Sequence, residues 1–177
     1  MELINNGVLF LALLIPFLTR KILKINLSEL FKFLYYIYII AAVLFGNIMN
    51  LFDDNLWYDK IVHFYFGFMM ALVAVLFIKY NNKDLKKKIL FNILFISGFT
   101  LLIAVCWEFV EFTTDKLFNT DHQRWKETGI DDTMFDLLVA FLGSIVININ
   151  YYIEVKRKEF GLVFHSIRDD NNIKKDT

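Results

Sequence analysis

The stretch DKIVHFYFGFMMALVAVLFIK, residues 59–79, decides the fold. At a rise of about 1.5 Å per residue it spans the roughly 30 Å hydrocarbon core of a bilayer, and between Lys60 and Lys79 its few polar groups lie near the amino-terminal end. Working outward, runs of similar length and character occupy Leu30–Phe52, Ile89–Phe112 and Thr133–Ile153. A weaker run, Leu3–Leu18, is interrupted by Asn5 and Asn6 and holds the only proline, Pro16. Glu2 precedes that run and Arg20 and Lys21 follow it, the reverse of a cleavable leader with its basic start, so a retained first helix is expected.

Composition agrees. The chain of 177 residues is 57% hydrophobic with a mean hydropathy of +0.48, above the 45–50% apolar share typical of soluble domains. The expectation is an all-α integral membrane protein with a bundle of about five transmembrane helices in residues 1–155. Residues 156–177 read as a polar, disordered cytoplasmic tail, too poor in apolar residues to pack alone. Cys106 is the single cysteine, which excludes an intrachain disulfide and a multi-cysteine zinc site.

Charge sets the expected orientation, because lysine and arginine collect in the cytoplasmic loops of membrane proteins. In the five-span reading, 15 of the 19 basic residues fall on one face, grouped around residues 20–32, 79–88 and 156–175. Lys60, Lys116, Arg124 and Lys126 fall on the other. The amino terminus is then outside and the carboxyl terminus inside. The same rule accounts for every basic stretch, so no nucleic-acid partner is implied.

The outer ends of three helices carry the acidic residues. Asp59 and His63 are four apart, about 40° apart on one helix face, and Asp132 and Asp136 repeat that spacing on the last helix. Between them, Ser97, Thr100, Ala104, Glu108, Glu111 and Asp115 form a small-or-polar stripe of the kind that faces protein rather than lipid. Gly67 lies one turn deeper than His63, and Gly143 with Ser144 two turns deeper than Asp136, which predicts close helix approach below the polar cluster. Asp59 and Asp132 each open a helix and are explained by capping as readily as by function. Glu108 and Glu111 sit at a helix carboxyl end, where the dipole repels negative charge, so something positive is expected beside them. The candidates are protonated His63, Arg124, Lys126 or a bound cation, and protonation of one carboxyl group is the alternative. His63 gains interest from Asp59, which is placed to orient its ring. Trp57, Trp107 and Trp125 fit the aromatic belt of a membrane interface.

Three segments, DKIVHFYFGF (59–68), WEFVEFTTD (107–115) and GIDDTMFDLLVAFLGS (129–144), resemble the signature blocks of the YjdF-like bacterial inner-membrane proteins, within the wider VanZ-like grouping. The resemblance covers residues 59–144 and rests on D-x3-H, E-x2-E and D-T-x2-D in successive helices. One turn after the last motif aspartate this chain carries Ala140, where VanZ-like proteins tend to carry asparagine. The resemblance implies a multi-pass protein of the prokaryotic plasma membrane and names no reaction.

Two classes of function follow. In the first, a carboxylate and histidine site at the extracytoplasmic rim binds a cation or cationic ligand. In the second, a divalent cation held by Glu108, Glu111, Asp136 and His63, with Asp59, Asp115 and Asp132 around them, acts as the cofactor of an enzyme working on a lipid or lipid-linked substrate at the outer leaflet. The sequence contains no H-E-x-x-H helix and no glycine-serine nucleophile turn.

Overall fold

A computed structural model describes residue 10 and residues 13–23, 25–82, 85–86, 88–158 and 161–167. Among these residues the chain is helical or irregular, with no strand. Helix α1, Glu29–Ile39, passes directly into a π-helical stretch, Ile40–Ile48. It is followed by α2 (Leu56–Asn82), α3 (Ile89–Phe118), α4 (Asp131–Arg157) and the short α5 (Leu162–Ser166). Four helical runs among the described residues are long and apolar enough to cross a bilayer: Glu29–Ile48, Leu56–Asn81, Ile89–Phe118 and Asp131–Arg157. They coincide with the four stronger runs of the sequence. Of the fifth, 3–18, residues 3–9 and 11–12 lie outside the described residues, and 13–18 are helical.

Local chemistry sets several boundaries. Ser28 caps α1, its Oγ accepting the Phe31 N–H at 3.0 Å, while Lys32 pairs with Glu29 at 2.6 Å. Helix α3 runs nearly two turns past the expected Phe112, through Thr113 and Thr114. Their hydroxyls donate back to the Phe109 and Val110 carbonyls, so they stay helical. Asn119, at φ 54°, then ends the helix in the left-handed conformation that asparagine tolerates.

The burial pattern inverts that of a soluble helix. On α3 the buried residues are Asn92, Ile96, Thr100, Ala104 and Glu108, whereas Leu90, Leu94, Leu102 and Phe109 are exposed. Polar groups inward and large apolar groups outward is the arrangement that lipid solvation demands.

The chain forms two compact units, residues 1–62 with 153–177, and residues 63–152. In the first, Ile39, Ala42, Val43 and Val62 form a small core covered by Tyr35, Tyr38, Phe52 and Tyr58. The Tyr58 hydroxyl donates to the Ala41 carbonyl at 2.7 Å. Helix α5, inside the stretch expected to be a polar tail, is held at both ends. Its first N–H groups, from Val163 and Phe164, donate to the Glu154 carboxylate at 2.8 Å each, and its Ser166 carbonyl accepts the Ser28 hydroxyl at 2.6 Å. Residues 168–177 lie outside the described residues.

In the second unit α2 and α4 meet backbone to backbone. A Cβ placed on Gly67 would lie 1.9 Å from the Ala140 carbonyl oxygen, and one on Gly143 would lie 2.2 Å from the Phe64 carbonyl oxygen. Gly67 thus makes the close approach expected of it. Helix α3 packs on α2 through Phe77, Phe95 and Phe99, stacked with centroids 5.8 to 6.4 Å apart. It packs on α4 through polar pairs. Asn148 Nδ2 donates to Ser97 Oγ at 2.8 Å, and Asn92 Nδ2 donates to the Tyr151 hydroxyl at 2.7 Å, which in turn donates to the Leu85 carbonyl.

Candidate functional site

The α2–α4 crossing places the site. His63 is four residues before Gly67 and Asp136 four before Ala140, so one turn beyond the backbone contact their side chains converge. His63 Nδ1 lies 4.0 Å from Asp136 Oδ1. Because both members precede the contact by the same number of residues, α2 and α4 run parallel here, as the first and third spans of a consecutive set must. Asp136 is 2% exposed and His63 8%, so the pair is withdrawn from solvent. Asp59, one turn earlier on the unbroken helix α2, pairs with Lys60 at 3.1 Å. The histidine faces the carboxylate of Asp136 from α4.

Glu108 enters from α3 near His63 and Asp136 and is 4% exposed. Its carboxylate bonds to the Thr133 hydroxyl, and the Gln123 amide lies 3.4 Å from Glu108 Oε2 and 3.2 Å from Thr133 Oγ1. Asp132, also buried, opens α4 one turn above Asp136.

The loop between α3 and α4 is shaped to bring Gln123 there. Asp115 accepts hydrogen bonds from the Thr120 hydroxyl (2.7 Å), the His122 N–H (2.8 Å) and the Gln123 N–H (3.0 Å). Arg124 adopts φ 49°, and Gly129 takes φ 63° with ψ −125°, a conformation reserved for glycine. Asp115, a candidate for the site's surroundings, works as the clamp of this loop.

The Glu111 carboxylate accepts the Trp107 indole N–H at 2.8 Å, and α3 buries every fourth residue through Glu108, from which Glu111 is turned about 60°.

Sequence reasoning passed over Gln123, Thr133, Asn148 and Tyr151. Thr133 stood within the D-T-x2-D block, and Asn148 continues a four-residue series with Asp132, Asp136, Ala140 and Ser144, so both carried a signal. Gln123, on an irregular loop, carried none.

A protein of Thermotoga maritima described as uncharacterized is 28% identical over 145 residues, covering 80% of this chain and 72% of that one. No solved structure matches. The family described as predicted membrane protein (DUF2238) matches residues 1–157, and the chain belongs to this DUF2238 family of membrane proteins.

Proposed function

We propose that this chain is a multi-pass protein of the prokaryotic plasma membrane whose rim site, centred on His63 and Asp136, binds a cation or cationic ligand on the extracytoplasmic side. The observation that carries this reading is the burial of two carboxylates, Asp136 and Glu108, around a single imidazole. Buried anions in a membrane domain need compensation, and one histidine carries at most one positive charge. A cationic guest supplies the balance.

The spacing suits a small guest. Two ligands on a tetrahedral metal with bonds of about 2.1 Å stand about 3.4 Å apart, and two acceptors around an ammonium with hydrogen bonds of about 2.8 Å stand about 4.6 Å apart. The 4.0 Å between His63 Nδ1 and Asp136 Oδ1 falls between these values, within a side-chain adjustment of either. Orientation follows from the basic loops, and DUF2238 membership accords with the YjdF-like resemblance.

The second reading, a metal-dependent enzyme acting on a lipid or lipid-linked substrate, is favoured by one observation. His63 Nδ1 and Asp136 Oδ1, 4.0 Å apart, are two protein ligands able to meet at one ion while leaving positions for water or substrate. Glu108 would then be the base beside the metal, and Glu111 and Asp132 would lie outside the ligand set.

Titration of the purified protein with Zn²⁺, Mn²⁺, Mg²⁺ and ethylammonium tests the binding. At least one should bind saturably, and Asp136→Asn and His63→Ala should each weaken it at least about tenfold, the loss of roughly one charge-assisted contact. Equal, negligible uptake by all three proteins refutes the site.

A further inference from the structure

A second polar feature lies deeper, between α3 and α4. On α4 the buried residues Asp132, Asp136, Ala140, Ser144 and Asn148 recur at every fourth position. On α3 the buried series is Asn92, Ile96, Thr100, Ala104 and Glu108. The Asn148–Ser97 and Asn92–Tyr151 hydrogen bonds set an antiparallel register that brings Thr100 to the level of Ser144. Thr100 and Ser144 are both fully buried, and Asn148 is 7% exposed.

The hydroxyl hydrogens of Thr100 and Ser144 are already committed, and Asn148 Oδ1 carries none. Thr100 Oγ1 donates to the Ile96 carbonyl, Ser144 Oγ donates to the Phe141 carbonyl, and Asn148 Nδ2 donates to Ser97 Oγ. What remains are oxygen lone pairs. One of them, on Asn148 Oδ1, is the buried side-chain atom without a hydrogen-bond partner among the described residues. An orphaned acceptor costs about 1–3 kcal/mol in a protein interior, and lipid offers it nothing. A set made only of acceptors is matched by a guest that brings positive charge without lone pairs of its own to place.

We propose that Asn148 Oδ1, with the hydroxyl oxygens of Ser144 and Thr100, forms a second binding site that takes a small monovalent cation of the size of Na⁺. The uncharged donor set selects the valence. Ion desolvation grows with the square of the charge, so a divalent ion costs about four times as much to bury, and no carboxylate stands at this level to offset it. Hard carbonyl and hydroxyl oxygens exclude the softer transition metals. Close packing around Ala140, Thr100 and Ser144, each fully buried, favours Na⁺ over the larger K⁺. The site is independent of the rim, because its ligands are neutral and lie at least two turns below Asp136.

The test is thermal unfolding of the purified full chain in detergent, in the chlorides of Na⁺, K⁺ and N-methylglucamine at one ionic strength. Na⁺ should raise Tm saturably by a few degrees relative to N-methylglucamine, and K⁺ by less than half as much. Asn148→Leu, similar in volume and free of the orphaned oxygen, should lose the Na⁺ shift, and Ser144→Ala should reduce it should the leucine variant fail to fold. Asp136→Asn should keep the shift. A wild-type Tm indifferent to the cation overturns the proposal. So does a shift that survives in both Asn148→Leu and Ser144→Ala, or one lost only in Asp136→Asn, which would place the ion at the rim.

Discussion

Adding one methyl group at Gly67 should separate α2 from α4, whereas the same addition at Gly98 should not. A Cβ on Gly67 would stand 1.9 Å from the Ala140 carbonyl oxygen, 2.5 Å from its carbon and 2.6 Å from its Cα, all main-chain atoms. Real Cβ contacts do not fall below 3.0 Å, so α4 must retreat by more than 1 Å, and no side-chain rotation can absorb that. The same retreat carries Asp136 away from His63, one turn above. Overpacking of this kind typically costs about 1–3 kcal/mol, and more where backbone must move. At Gly98, by contrast, nothing lies within 4 Å of the added atom, and alanine is favoured over glycine in a helix by about 0.8–1 kcal/mol. Thermal unfolding in detergent should therefore move in opposite directions, down for Gly67→Ala and level or up for Gly98→Ala. Cation affinity at the rim should fall in the first and stay constant in the second. A Gly67→Ala protein as stable as wild type, with unchanged rim affinity, would refute the claim that this contact positions the site.

Two further outcomes follow from carboxylates that hold backbone. Glu154→Gln keeps the shape but leaves one acceptor oxygen where two served, so one of the Val163 and Phe164 N–H groups keeps a neutral bond and the other meets an NH2 group, which should weaken the docking of α5 by about 1–3 kcal/mol and raise amide exchange over residues 161–167 without changing the rim. Asp115→Ala removes three acceptor contacts from the α3–α4 loop, so protease cleavage within residues 119–124 should accelerate at least severalfold, and an unchanged rate would show that the loop does not depend on Asp115.

The helices were legible because a bilayer reads length and apolarity directly. The runs at residues 59–79, 89–112 and 133–153 appear as α2, α3 and α4 with ends moved by at most six residues. The largest shift, at α3, came from Thr113 and Thr114, whose hydroxyls satisfy themselves on their own helix and so hide their polarity from the membrane. The π-helical stretch Ile40–Ile48 had no counterpart in local sequence. In the site, the approach of His63 and Asp136 was legible in the four-residue steps Asp59–His63 and Asp132–Asp136 and in Gly67, one turn below His63. A three-residue step from Glu108 to Glu111 reads as one face over a single turn; the buried residues of α3 advance in fours as far as Glu108, and beyond it Phe112 is exposed while Glu111 is half-buried. Gln123 and the Asn148–Ser97 pair depend on which residues of different helices stand level, and a single chain's spacing does not carry that register.

The polar line along α4 also explains why charge gathers at one end. It begins with Asp132 and Asp136, passes through Ala140, and continues with the neutral Ser144 and Asn148. A carboxylate costs about 2.5–3.5 kcal/mol at the centre of a membrane helix and less toward the interface, so ionisable groups fit near the end of the line and only neutral dipoles below. At that end α2 and α4 present their amino termini, which favour the carboxylates of Asp59 and Asp132, each in a first turn. Glu108 arrives on α3 from the opposite direction, ten residues before that helix ends at Phe118, where no amino-terminal dipole of its own helix favours it. It is nonetheless buried and held by Thr133 and by Gln123, whose loop Asp115 clamps. Among the rim carboxylates Glu108 is thus the one that its own helix does least to stabilise, and the one for which a positive guest would do most.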